Sequence, residues 1–248
     1  MGLHPASLIT VFLALLPAAA VHADGAVLAP YKADYSLALR GISVGESRVT
    51  LAPDGDGKYL YTADARTTGL GALLKSGFKT SQESHLELVD GHLQPLRYDY
   101  RQQDGDDKQS ESIVFDWGKH LAQTNEDGRQ KTSQLRAGTY DVFLIQLALA
   151  MDVESGALAH KYTLLDHGET ADYSSSRLPD QKMHVDKTEL DTVALKLHSD
   201  AKGRTISVWL APALHYLPVK IEQDKPAMTL TLDDISFGDG APAAVTKK

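Results

Sequence analysis

The residues able to do chemistry are plentiful but scattered along the chain. Beyond the first 23 positions the histidines are His85, His92, His120, His160, His167, His184, His198 and His215. None forms an HExxH or other compact ligand pair, and on alternating strands most of them should face solvent. His85 and His92 bracket a turn and could meet across it on zinc, although a solvent-facing pair is the simpler reading. Asp54-Gly55-Asp56-Gly57 opens like a calcium loop, yet position twelve of such a loop falls on Ala65, where a bidentate Glu is needed. A hairpin turn fits better. Asp104-Gly105-Asp106-Asp107 reads as a solvated loop. Asp233-Asp234 could act as an acid/base pair, but adjacent strand residues point to opposite faces. Gly69 to Gly77 lacks the Lys-Ser or Lys-Thr of a phosphate loop, and a G-x-G-x-x-G match fails at Leu74. A serine-nucleophile elbow is not expected, and the absence of cysteine rules out a thiol nucleophile. The expectation is a protein that is not an enzyme, with no catalytic residues, no metal and no cofactor.

The stronger signal is apolar. Leu135 to Met151 is the one convincing helix, with Thr139 or Asp141 able to cap it and YDVFLIQLALAM apolar on nearly every face. A helix apolar all round must be buried. Either it plugs a curved sheet, or its face of Phe143, Leu147 and Met151 lines a cavity for an acyl chain or other apolar ligand. Trp209, the bulky anchor expected to pack the corner after its strand against the rest of the sheet, is the fourth residue expected to line that cavity.

Strands must position these residues. Arg204 to Gln223 reads as strand, corner, strand: Ile206, Val208 and Leu210 alternate with Thr205, Ser207 and Trp209, and Pro212 and Pro218 mark the bend. Tyr31–Leu39, Glu46–Leu51, Lys58–Thr67, Phe78–Val89, Leu93–Gln102, Ser112–Trp117 and Leu121–Thr124 precede the helix as further strands. His160–Asp166, Ala171–Arg177, Lys182–Leu190, Thr192–Ser199 and Met228–Asp233 follow it. Strands at short, regular spacing with one interrupting helix indicate an all-β sandwich, barrel or rolled sheet. Leu93-Gln94-Pro95-Leu96 and Leu217-Pro218-Val219 each place a proline entering a strand, a weak internal echo.

Residues 1–23 read as a secretory signal peptide: Leu8 to Leu16 is an apolar run, and Val21-His22-Ala23 supplies an A-x-A-like site before Asp24. No second run is long enough to span a bilayer. Without cysteine the chain has no lipobox and no disulfide, so its core alone must hold the fold. The remaining residues, 24–240, suffice for one large β domain, and 241–248 form a small tail expected to be disordered. A net charge of −8 argues against nucleic acid and against an anionic membrane surface.

Several segments together resemble a known family. Tyr31-x-Ala33-x-Tyr35-Ser36-Leu37 with Gly41-Ile42-x-Val44-Gly45, Phe115-Asp116-Trp117, Tyr140-Asp141, Trp209-Leu210-Ala211-Pro212 and Tyr216-Leu217-Pro218-Val219 look like the DUF3108 family of exported bacterial proteins. More distantly, the chain is similar to the periplasmic lipoprotein carriers LolA and LolB and to envelope-integrity β-spiral proteins, through its W-x-x-P-x-x-x-x-x-P strand. The resemblance implies a β-rich periplasmic domain and brings no catalytic residues with it. The expected architecture is all-β, a curved antiparallel sheet forming a half-open barrel or β-spiral around one buried helix. The expected function is that of a soluble, monomeric, non-enzymatic envelope protein. It would bind a lipid or lipoprotein acyl chain or, with a filled core, dock an envelope protein partner. A hydrolase of an envelope polymer is the third reading.

Overall fold

The computed structural model describes residues 28–74 and 77–238; the expected signal peptide and C-terminal tail lie outside them. The first half is a run of antiparallel hairpins: β1 (Tyr31–Leu39), β2 (Ile42–Pro53), β3 (Lys58–Thr67), β4 (Lys79–Val89), β5 (His92–Asp104), β6 (Asp107–Asp116), β7 (Leu121–Glu126) and β8 (Arg129–Gln134). A short helix, α1 (Gly69–Leu74), sits between β3 and β4. Then come β9 (Thr139–Asp141) and the longer α2 (Ile145–Glu154). The second half comprises β10 (Lys161–Asp166), β11 (Glu169–Arg177), β12 (Gln181–Val185), β13 (Thr188–Ser199), β14 (Arg204–Ala211), β15 (Leu217–Asp224) and β16 (Ala227–Phe237).

All of them belong to one sheet, in the order β8-β7-β6-β5-β4-β3-β2-β1-β16-β15-β14-β13-β11-β10-β9, with β12 paired to β13 off that path. The pairings are antiparallel except β9 with β10. Tight turns make the meander possible. Arg40-Gly41, Asp90-Gly91, Asp127-Gly128 and His167-Gly168 all have positive φ at both residues, the twist-matched hairpin geometry in which glycine costs least at the second position.

Alternation sets which face is buried. In β3, Tyr59, Tyr61 and Ala63 are buried while Asp64 and Arg66 are exposed. Register then aligns inward residues across strands: Tyr31, Leu51, Tyr61, Ser84, Tyr98, Ile113 and Thr124 form one row from β1 to β7. The sheet curls about this face until its ends meet, and the ends are joined by side chains instead of a backbone ladder. Ser133 Oγ donates to the Gly168 carbonyl at 2.7 Å, and Lys131 Nζ to that of His167 at 3.0 Å. The His167 N–H donates to Glu111 at 2.8 Å. The roll is therefore unclosed, as expected.

Its interior is filled by the β9–α2 segment. Leu144, Ile145, Leu147, Ala148, Leu149 and Ala150 are all buried, and the Phe143 ring stacks on Tyr61 with centroids 4.1 Å apart and planes 5° from parallel. The helix begins later than its sequence pattern suggests. Thr139–Asp141 pairs with Thr163–Leu165 as strand, because the Asp141 carboxylate accepts the N–H groups of Phe143 (3.0 Å) and Leu144 (2.7 Å) and fixes a turn there. Asp141 thus fixes the turn before the helix, whose own N-cap, Leu144, carries no side-chain cap. Strand β8, RQKTSQ, has no apolar alternation and escapes a sequence reading. It is a terminal strand of the sheet, and its Arg129 and Lys131 suit an edge.

Truncating Phe143 to Ala should lower stability by about 3–5 kcal/mol, since it removes a buried aromatic from a packed site. Urea unfolding of Phe143→Ala beside Val114→Ala, an exposed apolar control, checks this. Equal midpoints for the two variants would contradict the plug role.

Candidate functional site

The four residues expected to line an apolar cavity are all in or against the core. Phe143, Leu147 and Trp209 are 2%, 4% and 6% exposed, and Met151 packs half-buried against the same cluster. Lys220 Nζ lies 4.8 Å from the centre of the Trp209 ring. These residues line neither of the two cavities described below.

The larger cavity is an open cleft of about 1250 Å³ crossing β16, β1, β2, β3, β4, β5 and β6. Its lining is ionic and graded. Asp34, Asp233 and Asp234 stand at one side, and Lys79, Arg101 and Lys108 at the other, with Asp127 beyond Ser110. Between them Arg48 Nε bonds Asp34 at 2.7 Å and Arg66 Nε bonds Glu46 at 2.7 Å. Lys79 and Lys108 make no ion pair among the described residues. A smaller hollow of about 270 Å³ lies at the β14–β15–β16 turns.

The acidic pair differs from its sequence expectation. A bulge between Asp34 and Tyr35 pairs them with Asp234 and Leu232, leaving Asp233 as the extra residue. Both aspartates consequently line the cleft. Asp233 accepts a 2.6 Å bond from Ser36 Oγ, whereas Asp234 Oδ1 is buried without a partner. A second correction concerns the serine elbow. Gly41-Ile42-Ser43-Val44-Gly45 does spell G-x-S-x-G, but it lies at the β1–β2 turn and the start of β2. The strand-to-helix turn that exposes such a nucleophile is absent there.

The histidines are dispersed, as their spacing suggests. His92 pairs with Val89 and His85 with Arg97, so the two do not face each other. His85 Nδ1 lies 3.4 Å from Asp54, and His215 Nδ1 lies 3.3 Å from Glu154. His167 is different. At the β10–β11 turn its Nδ1 is 2.9 Å from Glu126 and 4.0 Å from Glu111, and its Nε2 is 3.6 Å from Asp166. Sequence inspection missed this grouping because its members come from β6, β7 and a distant turn.

Two buried carboxyls have unusual acidities. Burial pushes Asp141 up to about 6, against the pull of its bonds from Leu144, Ser84 and Phe143. Burial also pushes Glu111 up to about 7. The His167 imidazole opposes that rise, and the Asp166 and Glu126 carboxylates add to it.

The sequence profile described as "Protein of unknown function (DUF3108)" matches residues 31–232, and the chain belongs to that family. No curated protein matches it. Among solved structures, it is similar to a β-barrel-like protein of domain DUF1849 from Brucella abortus. The TM-score is 0.51 and the identity 14%, over 86% of this chain and 99% of that one. That likeness shows a shared β-barrel-like fold. A domain from Vibrio parahaemolyticus, described as a candidate outer membrane lipoprotein-sorting protein domain, aligns at 12% identity over 86% of this chain and 87% of its own. Its TM-score of 0.22 is too low to bear on the fold.

The raised pKa values fix a pH dependence. The native protein keeps protons that the unfolded chain has already lost, so each carboxyl favours folding at low pH. That contribution fades as pH rises from the ordinary carboxylate range through about 6 for Asp141 and about 7 for Glu111. For Asp141 the loss amounts to about 3 kcal/mol at most. Asp141→Asn keeps an oxygen to accept the same N–H groups but cannot ionise. Its urea midpoint should therefore fall less than that of the wild type between pH 4 and pH 7. Parallel curves would show that Asp141 does not titrate in this window.

Proposed function

We propose that this DUF3108 protein is an exported, soluble, non-enzymatic module of the bacterial envelope that docks a protein partner in the charged cleft. The observation that carries this reading is the contrast between interior and cleft. Phe143 and the buried face of α2 occupy the interior of the roll, while the cleft of about 1250 Å³ is acidic along β16 and β1 and mainly basic along β4, β5 and β6, with Asp127 beyond them. Graded charge of this kind favours a partner segment with complementary charges, and it sets orientation and encounter rate more than raw affinity. Lys79 and Lys108, with no ion partner among the described residues, are available to acidic side chains of the partner. Export follows from the signal-like N-terminus. Among the described residues no helix is long and apolar enough to cross a membrane.

A second reading is carriage of a lipid or lipoprotein acyl chain. It is supported by the unclosed seam, which side-chain hydrogen bonds hold without a ladder. Parting there would uncover Phe143, Leu147 and the rest of the apolar helix. On this reading the filled interior is the unloaded state.

A photo-crosslinking residue at Ser81, in the cleft, tests the first reading in intact cells. One discrete protein adduct should form, and the double reversal Lys79→Glu/Lys108→Glu should reduce it at least tenfold, as loss of complementary charge does. An adduct that survives the reversal would sink the docking reading. Native mass spectrometry decides the second: a co-purified lipid mass, lost in Phe143→Ala at a pH where that variant stays folded, would establish carriage instead.

A further inference from the structure

We propose that Glu111, Asp166 and His167, with Glu126 beside them, form a binding site for a divalent transition-metal cation of the zinc class, which clasps the seam of the roll. One donor atom from each of Glu111, Asp166 and His167 lies within 4.8 Å of the others. Glu126 Oε1 is 2.9 Å from His167 Nδ1, beside these three. Zinc bonds of about 2.1 Å place donors roughly 3.4 Å apart in a tetrahedron, so a contraction of about 1.5 Å at most would bring the three donors onto one ion, with water in the fourth position.

The donors are held independently of any metal. Glu111 and Glu126 face each other across β6 and β7, and Glu111 is only 4% exposed. The His167 N–H already anchors the turn on Glu111 Oε1, and Lys131 Nζ holds the His167 carbonyl. The charges around the site are unbalanced. Three carboxylates converge, and the cations near them are Arg129, 3.3 Å from Glu126, Arg204, 3.9 Å from Asp166, and His167 itself if protonated. Lys131 is turned to the carbonyl and to Glu169. A divalent cation would neutralise this excess of negative charge, and one imidazole among carboxylates suits zinc better than magnesium or calcium.

A separate observation points the same way. Thr124 lies two residues before Glu126 on the same side of β7 and diagonal to Glu111 across the strand pair. It is 2% exposed, and its Oγ1 has no hydrogen-bond partner. A buried hydroxyl without a partner is costly, and a cation or its bound water would satisfy it. The site is distinct from the docking cleft, although Ser110 and Asp127, which line the cleft, adjoin Glu111 and Glu126 in sequence.

The test is calorimetric titration of untagged, chelator-stripped full-length protein with zinc chloride, repeated with magnesium and calcium. Thermal melts with and without each ion accompany it. His167→Asn is the informative variant, because φ at 167 is +52° and Asn tolerates that region. Glu111→Gln keeps the side-chain shape. Wild type should take up one zinc per chain and melt several degrees higher with saturating zinc. Each variant should bind at least tenfold more weakly while His184→Asn, an exposed control, binds as wild type does. Absence of zinc uptake, equal uptake by His167→Asn, or a preference for magnesium or calcium would each overturn the proposal.

Discussion

The carboxylate of Asp141 is the point on which the interior of this protein depends. It lies at the end of a three-residue strand and is fully buried. It bonds Ser84 Oγ on β4 at 3.0 Å and the two backbone N–H groups that open the helical segment. One side chain thus ties the far end of the sheet to its middle and aims Phe143 at Tyr61. The dependence has a cost: the second oxygen, Oδ2, finds no partner. Burial therefore raises the pKa far enough for the proton to be held in mildly acidic conditions.

Around that point the molecule divides its chemistry by location. One half of the inward face is apolar and filled. Toward the β5–β6 and β7–β8 turns the same face becomes polar, with the Glu111–Glu126 pair following the Ile113–Thr124 pair. The seam closes there, and the cleft opens beside it. An ordinary barrel would join its edges by backbone ladder bonds. Here the edges meet through Lys131, Ser133, His167 and Glu111, so conditions that change side-chain charge act directly on closure. The packed core responds to volume, the seam to pH and cations.

The comparisons give the family and the fold alone. A shared β-barrel-like fold at 14% identity supports the architecture, and folds of this type host unrelated activities. The filled interior and the charged cleft belong to this chain's own side chains. They are the reason a docking surface is favoured over a preformed lipid cavity.

The sequence by itself determined the strand content, the buried helical segment and the membership of the family, because these rest on local period and on contiguous motifs. Tyr59-x-Tyr61-x-Ala63 alternates as a strand must, and LIQLALA cannot be solvated. It did not reveal β8, whose polar residues carry no period, nor the late start of α2, where the Asp141 turn overrides a continuous apolar pattern. Nor could it separate a lined cavity from a filled core at Phe143, Leu147, Met151 and Trp209, since both need the same residue types. Only the tertiary structure decided what meets what. The bulge at Asp34 brings Asp233 and Asp234 to one cleft, and curling of the sheet delivers His167 to Glu111 and Glu126. Residues so far apart in the chain leave no spacing to read; their grouping is a consequence of register and curvature, which no local segment encodes.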